Sequence, residues 1–485
     1  MLFNSFAFLI FFPVTAFLYY LLPKKWQVPV LLLASCIFYM AFIPKYILIL
    51  FFLITLDFFL SQAMQQRVGR DRKIFFVASL LANIGLLFVF KYFNFFNTNL
   101  AALADFVHWH YSLAPLKIIL PLGLSFHIFQ NLAYIIEVYR GRCLPEKNYF
   151  HYALYVLFFP QLVAGPIERP NNLLPQFKIH YSFDSHVVTQ GLERMLWGFF
   201  KKLVLADYLA VAVNHVYGAT HDYSGWSLLI ATFFFAFQIY CDFSGYTDIA
   251  LGAAQVFGYR LIENFNRPYS ARSIADFWKR WHLSLSSWFR DYVYIPLGGN
   301  RVSKSRHYAN LFIVFLLSGL WHGANWTFVI WGALHGTYLI LETMTARLKQ
   351  KLLFYSGLAK WPKIIAVLEL ITTFCLVSLA WVFFRAASLD DAVYIIANTF
   401  RGLSNYQDLF ISSAWGLSKT TLSFLLLGIV LLEVVEYYQA KKNTFYIFAA
   451  QSKLLRYSWY YFLLLTILFF SYSAHEARTF IYFQF

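Results

Sequence analysis

The chain has 485 residues, of which 60% are hydrophobic, 21% are aromatic and only 13% are charged. Because a soluble domain is about one quarter charged, this composition excludes a soluble globular protein and indicates a polytopic membrane protein. The formal net charge is +16, but Lys and Arg gather in short loops between apolar runs. That distribution is typical of loops retained on the cytoplasmic side, so the charge gives no reason to expect a nucleic-acid partner.

Four cysteines are spread along the chain without paired spacing: Cys36, Cys143, Cys241 and Cys375. Neither a disulfide framework nor a metal site such as a zinc site is therefore expected. The first apolar run, residues 6–22, is long enough to span a membrane, follows no positive residue and precedes no small-residue cleavage site. We expect it to be a retained helix and not a signal peptide.

Further apolar runs follow, with short polar breaks between them. In chain order they cover residues 28–43, 46–62, 74–93, 117–138, 150–164, 194–217, 227–258, 309–320, 324–342, 364–384, 421–438 and 458–474. The runs 194–217 and 227–258 exceed a single crossing and are expected to be broken or tilted. The pattern predicts an all-α, polytopic membrane protein with roughly 11 to 13 membrane elements, the shortest of them re-entrant. We expect a single domain, residues 1–485.

Two histidines lie within the apolar stretch 318–336. An ionisable residue in a transmembrane segment usually faces a cavity or a partner and marks a candidate functional site. His322 is the better candidate, because Gly319 and Gly323 beside it let a backbone or a ligand approach closely. A histidine that is simply hydrogen-bonded inside a helix bundle carries about equal weight. His335 lies thirteen residues further on, about 20 Å along an ideal helix, and is the secondary candidate.

Two other polar stretches interrupt apolar runs. The segment 160–170 carries helix-breaking prolines that leave backbone groups free, and such groups must face protein or water, so we expect a pocket wall there. In the segment 240–248, Asp242 and Asp248 are six residues apart and do not share a helical face closely, which makes them a poor acid and base pair. Pairing with buried basic groups or backbone donors is favoured for them, by about two to one.

The section 259–308 predicts a basic, amphipathic element in the membrane interface. Ser273 can cap a helix whose apolar residues follow spacings of three and four, namely Ile274, Phe277, Trp278, Trp281, Leu285, Trp288 and Phe289. His282 falls at the edge of that apolar arc and could point into a cavity. Eight Lys or Arg against two Asp between Arg267 and Arg306 could bind a polyphosphate-bearing cofactor such as coenzyme A or, equally, anionic lipid headgroups. The candidates for cofactor binding are Lys279, Arg280, Trp281 and Arg290.

Acyl transfer from a thioester fits a buried histidine and a basic, aromatic platform. An imidazole with a pKa near neutrality can take the proton from an acceptor hydroxyl as that hydroxyl attacks an acyl carbonyl. The sequence contains no Gly-x-Ser-x-Gly motif and no phosphate-binding glycine-rich loop. Their absence argues against a serine hydrolase and against a P-loop transport ATPase.

Four motifs in order carry a resemblance to a known family. They are Asn264-Phe-Asn-Arg-Pro-Tyr269, Asp276-Phe-Trp-Lys-Arg-Trp-His-Leu-Ser-Leu-Ser286, Arg290-Asp-Tyr292 and Gly319-Leu-Trp-His-Gly323. The chain resembles the membrane-bound O-acyltransferase (MBOAT) family, and within it the bacterial branch of alginate and peptidoglycan O-acetyltransferase membrane subunits. The similarity runs the whole length and includes residues 159–160, 164–166 and 242–246.

The resemblance implies about eleven transmembrane helices with re-entrant and interfacial helices, forming a ring around a funnel. It implies that His322 is catalytic and that His282 lines the same tunnel. Acetyl-CoA would be the donor, entering from the cytoplasm of a bacterium whose cytoplasmic membrane holds the protein. The acyl group would leave on the other face, where an exported SGNH-type transferase places it on a polysaccharide. Further tunnel-lining candidates are Asp242, Ser244, Tyr246, Trp321, Asn325 and His335.

The chain's last six residues, 480–485, form an aromatic cluster that physics alone interprets as an interfacial anchor. They also resemble an F-x-Y-x-x-F ending of the same bacterial branch. There the tyrosine that matches Tyr482 is thought to accept the acyl group after the histidine that matches His322 removes its proton, forming a phenyl ester. Lys441, Lys442, Lys453 and Arg456 precede the last apolar run, so the positive-inside rule predicts a C-terminus on the non-cytoplasmic face.

Two other functions are open. A transporter of a lipid-linked sugar or another solute would predict internal two-fold repeats or interrupted helices in matching halves, and no repeat is visible. A D-alanyl transferase acting on teichoic acid resembles this branch but takes its donor from a carrier protein.

Overall fold

The structure is a computed structural model that describes residues 1–163, 165–404, 416–442 and 451–473, together with Phe480. Throughout these residues the regular structure is helical, and no strand occurs in them. The prediction of an all-α fold is therefore confirmed.

The described part of the chain contains twenty α-helices. They are α1 (Phe6–Leu21), α2 (Gln27–Met40), α3 (Ile47–Gln65), α4 (Gly69–Leu87), α5 (Phe93–Phe106), α6 (Leu124–Tyr139), α7 (Tyr149–Leu157), α8 (Phe159–Leu162), α9 (Pro170–Leu173), α10 (Ser185–Phe199), α11 (Asp207–Tyr217), α12 (Trp226–Val256), α13 (Ile274–Trp278), α14 (Leu283–Phe289), α15 (Lys304–His322), α16 (Trp326–Tyr355), α17 (Pro362–Arg385), α18 (Leu389–Asn398), α19 (Lys419–Lys442) and α20 (Lys453–Ser473).

Six helical stretches in the described ranges are long and apolar enough to cross a membrane. They are Pro44–Gln65, Gly69–Phe106, Trp226–Val256, Pro362–Arg385, Lys419–Lys442 and Lys453–Ser471. Helix α1 is apolar but shorter. The predicted polytopic membrane fold is confirmed, while a total of about eleven spans and a ring around a funnel stay predictions.

Several boundaries differ from the predicted runs for local reasons. Helices α4 and α5 join through a π-helical segment, Phe88–Tyr92, into one long helix. The run 117–138 becomes helical only at Leu124, because Gly123 before it has a left-handed φ of 70°. The run 227–258 is not broken: it forms α12, a single helix of 31 residues.

The run 194–217 is not broken either: a π-helical segment, Phe200–Ala206, joins α10 and α11. Such segments inside α-helices frequently occur at functional sites. This one contains Lys201 and Lys202, whose side chains are both buried.

Side-chain caps explain where several helices begin. Asn148, Ser273, Asn325 and Ser388 each precede a helix and accept a hydrogen bond from a backbone N–H of its first turn. Each cap satisfies one of the N–H groups that a helix leaves without a partner at its start. The predicted cap at Ser273 is therefore confirmed.

The chain forms two compact units. The first consists of residues 1–195 and 247–262, and the second consists of residues 196–246 together with the described residues from 263 onward. All the histidines of the candidate site belong to the second unit.

Buried polar groups of the first unit find partners within it. Asp57 accepts hydrogen bonds from Ser79 at 2.5 Å and from Asn83 at 2.9 Å. Arg194 forms an ion pair with Asp248 at 2.9 Å, in which both side chains are about nine-tenths buried. The pairing that we favoured for Asp248 is confirmed.

The proline-rich segment 160–170, also in the first unit, holds the chain near residue 262. Glu168 is fully buried and accepts hydrogen bonds from the backbone N–H of Ile262 at 2.6 Å and from the side chain of Asn172 at 2.7 Å. Burial raises the pKa of Glu168 from 4.5 to about 7. Glu168 therefore connects the segment to residue 262 through buried hydrogen bonds. Whether the segment forms a pocket wall stays a prediction.

Candidate active site

Helices α15 and α16 form a tight hairpin that carries two of the candidate histidines. His322 is the last residue of α15, and α16 begins at Trp326. Asn325 caps α16 by accepting a hydrogen bond from the backbone N–H of Thr327 at 3.0 Å. The two histidines are thus not 20 Å apart along one helix. That expectation was wrong because the turn folds α16 back against α15, and both imidazole rings contact the indole of Trp331, at 5.0 and 4.9 Å.

Glycines allow the close approach of the two helices. An ideal Cβ on Gly319 would lie 2.3 Å from the backbone oxygen of Phe328, and one on Gly332 would lie 2.3 Å from the backbone oxygen of Phe315. An ideal Cβ on Gly323 would lie 2.2 Å from the ring of Phe328. The predicted close approach of a backbone is confirmed at Gly319, whereas Gly323 is approached by a side chain, and the approach of a ligand stays a prediction.

His322 is 4% exposed and is surrounded by aromatic rings. The centroids of Trp321, Trp331 and Phe384 lie 4.9, 5.0 and 5.2 Å from its ring, each at a steep interplanar angle. The imidazole therefore lies in an apolar, low-dielectric environment in which electrostatic interactions with a reacting group are strengthened.

His282 interrupts the helix that was predicted across 274–289. The predicted stretch forms two short helices, α13 and α14, because residues 279–282 form a turn and His282 has a left-handed φ of 44°. The expectation of one continuous amphipathic helix was therefore wrong. A non-glycine residue in this conformation is strained, and such residues cluster at functional sites. The side chain is 0% exposed and packs edge-on against Phe243 at 4.7 Å.

Hydrogen bonds define which nitrogen of His282 carries the proton. Asn264 Oδ1 accepts from the backbone N–H of Ser284 at 3.2 Å and from its hydroxyl at 2.9 Å, so this side-chain atom is the oxygen. Nδ1 of His282 lies 3.1 Å from the same oxygen and must donate to it. Burial lowers the pKa of His282 from 6.5 to about 3. The ring is therefore neutral, and Nε2 carries the lone pair that can accept a hydrogen bond.

His335 has the opposite arrangement. It is 0% exposed, and its Nδ1 lies 3.3 Å from Nε1 of Trp278. An indole N–H only donates, so Nδ1 of His335 accepts and Nε2 carries the hydrogen in the neutral ring. The site thus contains one histidine that can accept at Nε2 and one that can donate there.

A cavity of about 460 Å³ lies beside Trp278, the residue that donates a hydrogen bond to His335. Trp278 and Ser318 line it, as do Lys279 and Arg290 among the four predicted cofactor-binding residues, and most of its remaining lining is apolar. Arg290 forms an ion pair with Asp291 at 2.8 Å. Arg280 does not line the cavity and forms an ion pair with Asp276 at 2.9 Å, and the indole of Trp281 is buried against Phe277. The cavity combines two cationic side chains with an apolar interior.

The other tunnel-lining candidates have varied environments. Asp242 forms an ion pair with the buried Lys202 at 2.6 Å, so the pairing that we favoured for it is confirmed. Ser244, Tyr246 and Trp321 are buried, whereas Asn325 is exposed and acts as a helix cap. Whether these residues line a tunnel stays a prediction.

Tyr482 lies outside the described residues, as does most of the C-terminal motif. Phe480 is described and is 1% exposed. Its ring lies 4.8 Å from that of Tyr246 and 5.8 Å from that of Phe243, which in turn packs on His282. The start of the motif is thus packed one ring away from His282.

Sequence reasoning missed several residues of the site. Asn264 lies within a motif that we quoted, but only the fold shows that its oxygen orients His282. Trp331, Trp381 and Phe384 look like ordinary core aromatics in the sequence. Lys202 stands in an apolar run, and a charge in that position is the signal that could have revealed the partner of Asp242.

Comparison with known proteins agrees with this geometry. The sequence model of the MBOAT, membrane-bound O-acyltransferase family matches residues 144–388, a range that contains all three histidines. The chain is 38% identical over 408 residues to a probable alginate O-acetylase of Azotobacter vinelandii, covering 82% of this chain and 78% of that protein. It is 37% identical over 403 residues to a peptidoglycan O-acetyltransferase of Helicobacter pylori, covering 78% and 73%.

Similarity to a third kind of protein is weaker. A teichoic acid D-alanyltransferase of Bacillus subtilis is 29% identical over 268 residues, which cover 52% of this chain and 66% of that protein. The family match, the extended similarity to O-acetyltransferases and the buried histidines agree with one another. The chain belongs to the membrane-bound O-acyltransferase family.

Proposed function

We propose that this multi-pass membrane enzyme takes an acetyl group from cytoplasmic acetyl-CoA and passes it across a bacterial cytoplasmic membrane. An exported SGNH-type transferase would then place the group on a polysaccharide such as peptidoglycan or alginate. The observation that carries the proposal is the extent of similarity: the relatives named for O-acetylation align with about four fifths of the chain, against about half for the D-alanyltransferase.

The cavity beside Trp278 suits a nucleotide thioester. Lys279 and Arg290 offer positive charge to phosphate groups, while the apolar lining suits the less polar arm of coenzyme A. Trp278 connects this cavity to the histidines through its hydrogen bond to His335. Membrane lipids would contact the exposed apolar faces of the spanning helices.

The histidines supply the proton transfer that acyl transfer needs. In the proposal, His322 removes the proton of the acceptor hydroxyl while the hydroxyl oxygen attacks the acyl carbonyl carbon. His282 presents a second lone pair at Nε2, held by Asn264. Trp321 contacts both rings, at 4.9 Å from His322 and 6.1 Å from His282, so the two histidines border one aromatic group.

Tyr482 is the proposed first acceptor of the acyl group. The described contact of Phe480 with the aromatic residues beside His282 supports this assignment. A tyrosyl ester formed near the C-terminus would let the acyl group reach the exported transferase without coenzyme A crossing the membrane. This route needs a C-terminus on the non-cytoplasmic face.

The test replaces His322 by Ala in cells that lack the native protein. Polymer O-acetylation should fall about a hundredfold or more at unchanged protein abundance, the scale of losing a general base. The matched control is His186→Ala, which removes an exposed histidine of α10. If His322→Ala retains the O-acetylation of that control, the catalytic role is wrong. Transfer of D-alanine instead of acetate by the wild type would show that the donor was misassigned.

A further inference from the structure

Three buried side chains near His322 are hydrogen-bond donors, and no described residue offers them an acceptor. The donors are the Nε1–H groups of Trp331 and Trp381 and the Nε2–H of His335. All three residues are 0% exposed. A buried polar group without a partner costs about 1–3 kcal/mol. Other buried polar atoms, such as Nε1 of Trp197, also have no acceptor among the described residues; the three donors near His322 differ from them because the rings that carry them lie together.

The aromatic rings that carry the three donors form one contiguous cluster. The ring of Trp331 lies 5.0 Å from His322, 4.9 Å from His335 and 5.9 Å from Trp381, with the two indoles stacked at 21°. The rings of His335 and Trp381 are 6.5 Å apart. A group bound among these donors would therefore lie close to His322.

The chemistry of the cluster selects what it can bind. An indole N–H cannot accept a hydrogen bond, and the Trp278 N–H occupies the lone pair of His335 at Nδ1. The three groups therefore offer hydrogens only. The N–H groups themselves cannot accept a hydrogen bond, whereas an oxygen that gains negative charge would be stabilised strongly by them in this dry environment.

We propose that Trp331, Trp381 and His335 bind the carbonyl oxygen of the transferred acyl group, an inference that rests on the proposed function. As the acceptor oxygen bonds to the carbonyl carbon, the π electron pair moves onto the carbonyl oxygen and the hydroxyl proton moves to His322. The three N–H groups donate to the resulting oxyanion. Its electron pair then restores the C=O bond and expels the thiolate of coenzyme A.

Trp278 is a positioning residue in this arrangement. Its N–H holds His335 in the tautomer that has a hydrogen on Nε2. Without it, the hydrogen could reside on Nδ1, and the third donor would be lost. Trp278 also lines the donor cavity, so it lies between the cavity and the donor cluster.

The experiment compares Trp331→Phe and Trp381→Phe with Trp197→Phe in the purified full-length enzyme. Each change deletes one indole N–H and keeps an aromatic ring. Trp197 is a suitable control because it is 3% exposed, its Nε1 also has no acceptor among the described residues, and it packs on Phe200 and Trp459 and not on the histidines.

Two measurements separate chemistry from packing. With acetyl-CoA, the single-turnover rate constant for acetylation of the enzyme should fall about a hundredfold in Trp331→Phe and Trp381→Phe, the scale of losing one oxyanion donor, and should be unchanged in Trp197→Phe. The inhibition constant of S-ethyl-CoA, a thioether with no carbonyl oxygen, should be the same in all variants. A wild-type rate constant for acetylation in both site variants, or an equal loss of acetylation rate and of S-ethyl-CoA binding, would overturn the inference.

Failure of the proposed donor would be visible separately. If the wild type does not turn over acetyl-CoA, the donor assignment is wrong, and the variants are then compared by polymer acylation in cells, which requires an acyl carbonyl whatever the donor. At equal protein abundance, a loss of tenfold or more relative to Trp197→Phe would support the carbonyl site. Acylation equal to that control would refute it.

Discussion

Adding one methyl group at Gly319 should disable the site without touching any proposed catalytic side chain. The new Cβ of Gly319→Ala would lie 2.3 Å from the backbone oxygen of Phe328 and 3.3 Å from Cα of Gly332. Ordinary contact begins at 3.4 Å, so α15 and α16 must separate by about 1.1 Å, the difference between 3.4 Å and 2.3 Å. Both obstacles are backbone atoms, which cannot rotate away as a flexible side chain could.

The expected effects follow from that displacement. Overpacking of this kind typically costs about 1–3 kcal/mol of stability, and a misplacement of about 1 Å at a reacting group can cost on the order of a hundredfold in rate. His322 lies one turn after Gly319, and Trp331 directly precedes Gly332, so the shift would separate His322 from the donor cluster.

Gly85→Ala is the matched control for this substitution. Gly85 also lies inside a helix, but a Cβ there would meet nothing within 4 Å, and a helical Gly→Ala change should be neutral or stabilising by about 0.5–1 kcal/mol. The assay is thermal unfolding in detergent together with polymer O-acetylation in cells. If Gly319→Ala matches Gly85→Ala in both readouts, the hairpin does not need the close approach, and our explanation of its geometry is wrong.

Three further outcomes are expected. Asn264→Ala removes the acceptor that orients His282, so polymer O-acetylation in cells should fall on the order of a hundredfold at unchanged protein abundance. Asn264→Asp should recover part of the activity, and full activity in Asn264→Ala would contradict the assigned tautomer. The pKa of Glu168 is raised from 4.5 to about 7 in the folded protein. Its stabilising contribution, on the order of 3 kcal/mol, is therefore present below pH 4.5 and is lost as the pH rises through 7. Thermal unfolding of Glu168→Gln should lack this pH dependence, and an unaltered profile would exclude Glu168 as its source. Ala440→Cys, at an exposed position in the last turn of α19, should be protected from an impermeant thiol reagent in intact cells, whereas rapid labelling would reverse the proposed orientation.

Sequence patterns predicted the membrane class and most helices, because apolar runs and caps act locally. They predicted His322 as a candidate because a histidine in an apolar run is conspicuous at any distance from its partners. The relation between His322 and His335 was wrong, since the turn at residues 323–325 reverses the chain direction and linear spacing then says nothing about proximity. The left-handed conformation of His282 and its hydrogen bond to Asn264, eighteen residues away, likewise have no signal in the spacing of apolar residues.

The donor cluster could not be predicted from the sequence. Trp331 and Trp381 are aromatic residues in apolar helices, a pattern shared with most of the core. Only the packing of α16 against α17 shows that their indole N–H groups are buried without an acceptor among the described residues. An unmatched donor is a property of three-dimensional environment and leaves no signal in composition or periodicity.

The most direct test of the central claim is the intact mass of the purified full-length enzyme after incubation with acetyl-CoA. The account predicts that the wild type gains the mass of one acetyl group, located on Tyr482 by peptide fragmentation, and that neither His322→Ala nor Tyr482→Phe gains it. Acetylation of His322→Ala at the wild-type rate, or normal polymer O-acetylation in cells by Tyr482→Phe, would contradict it.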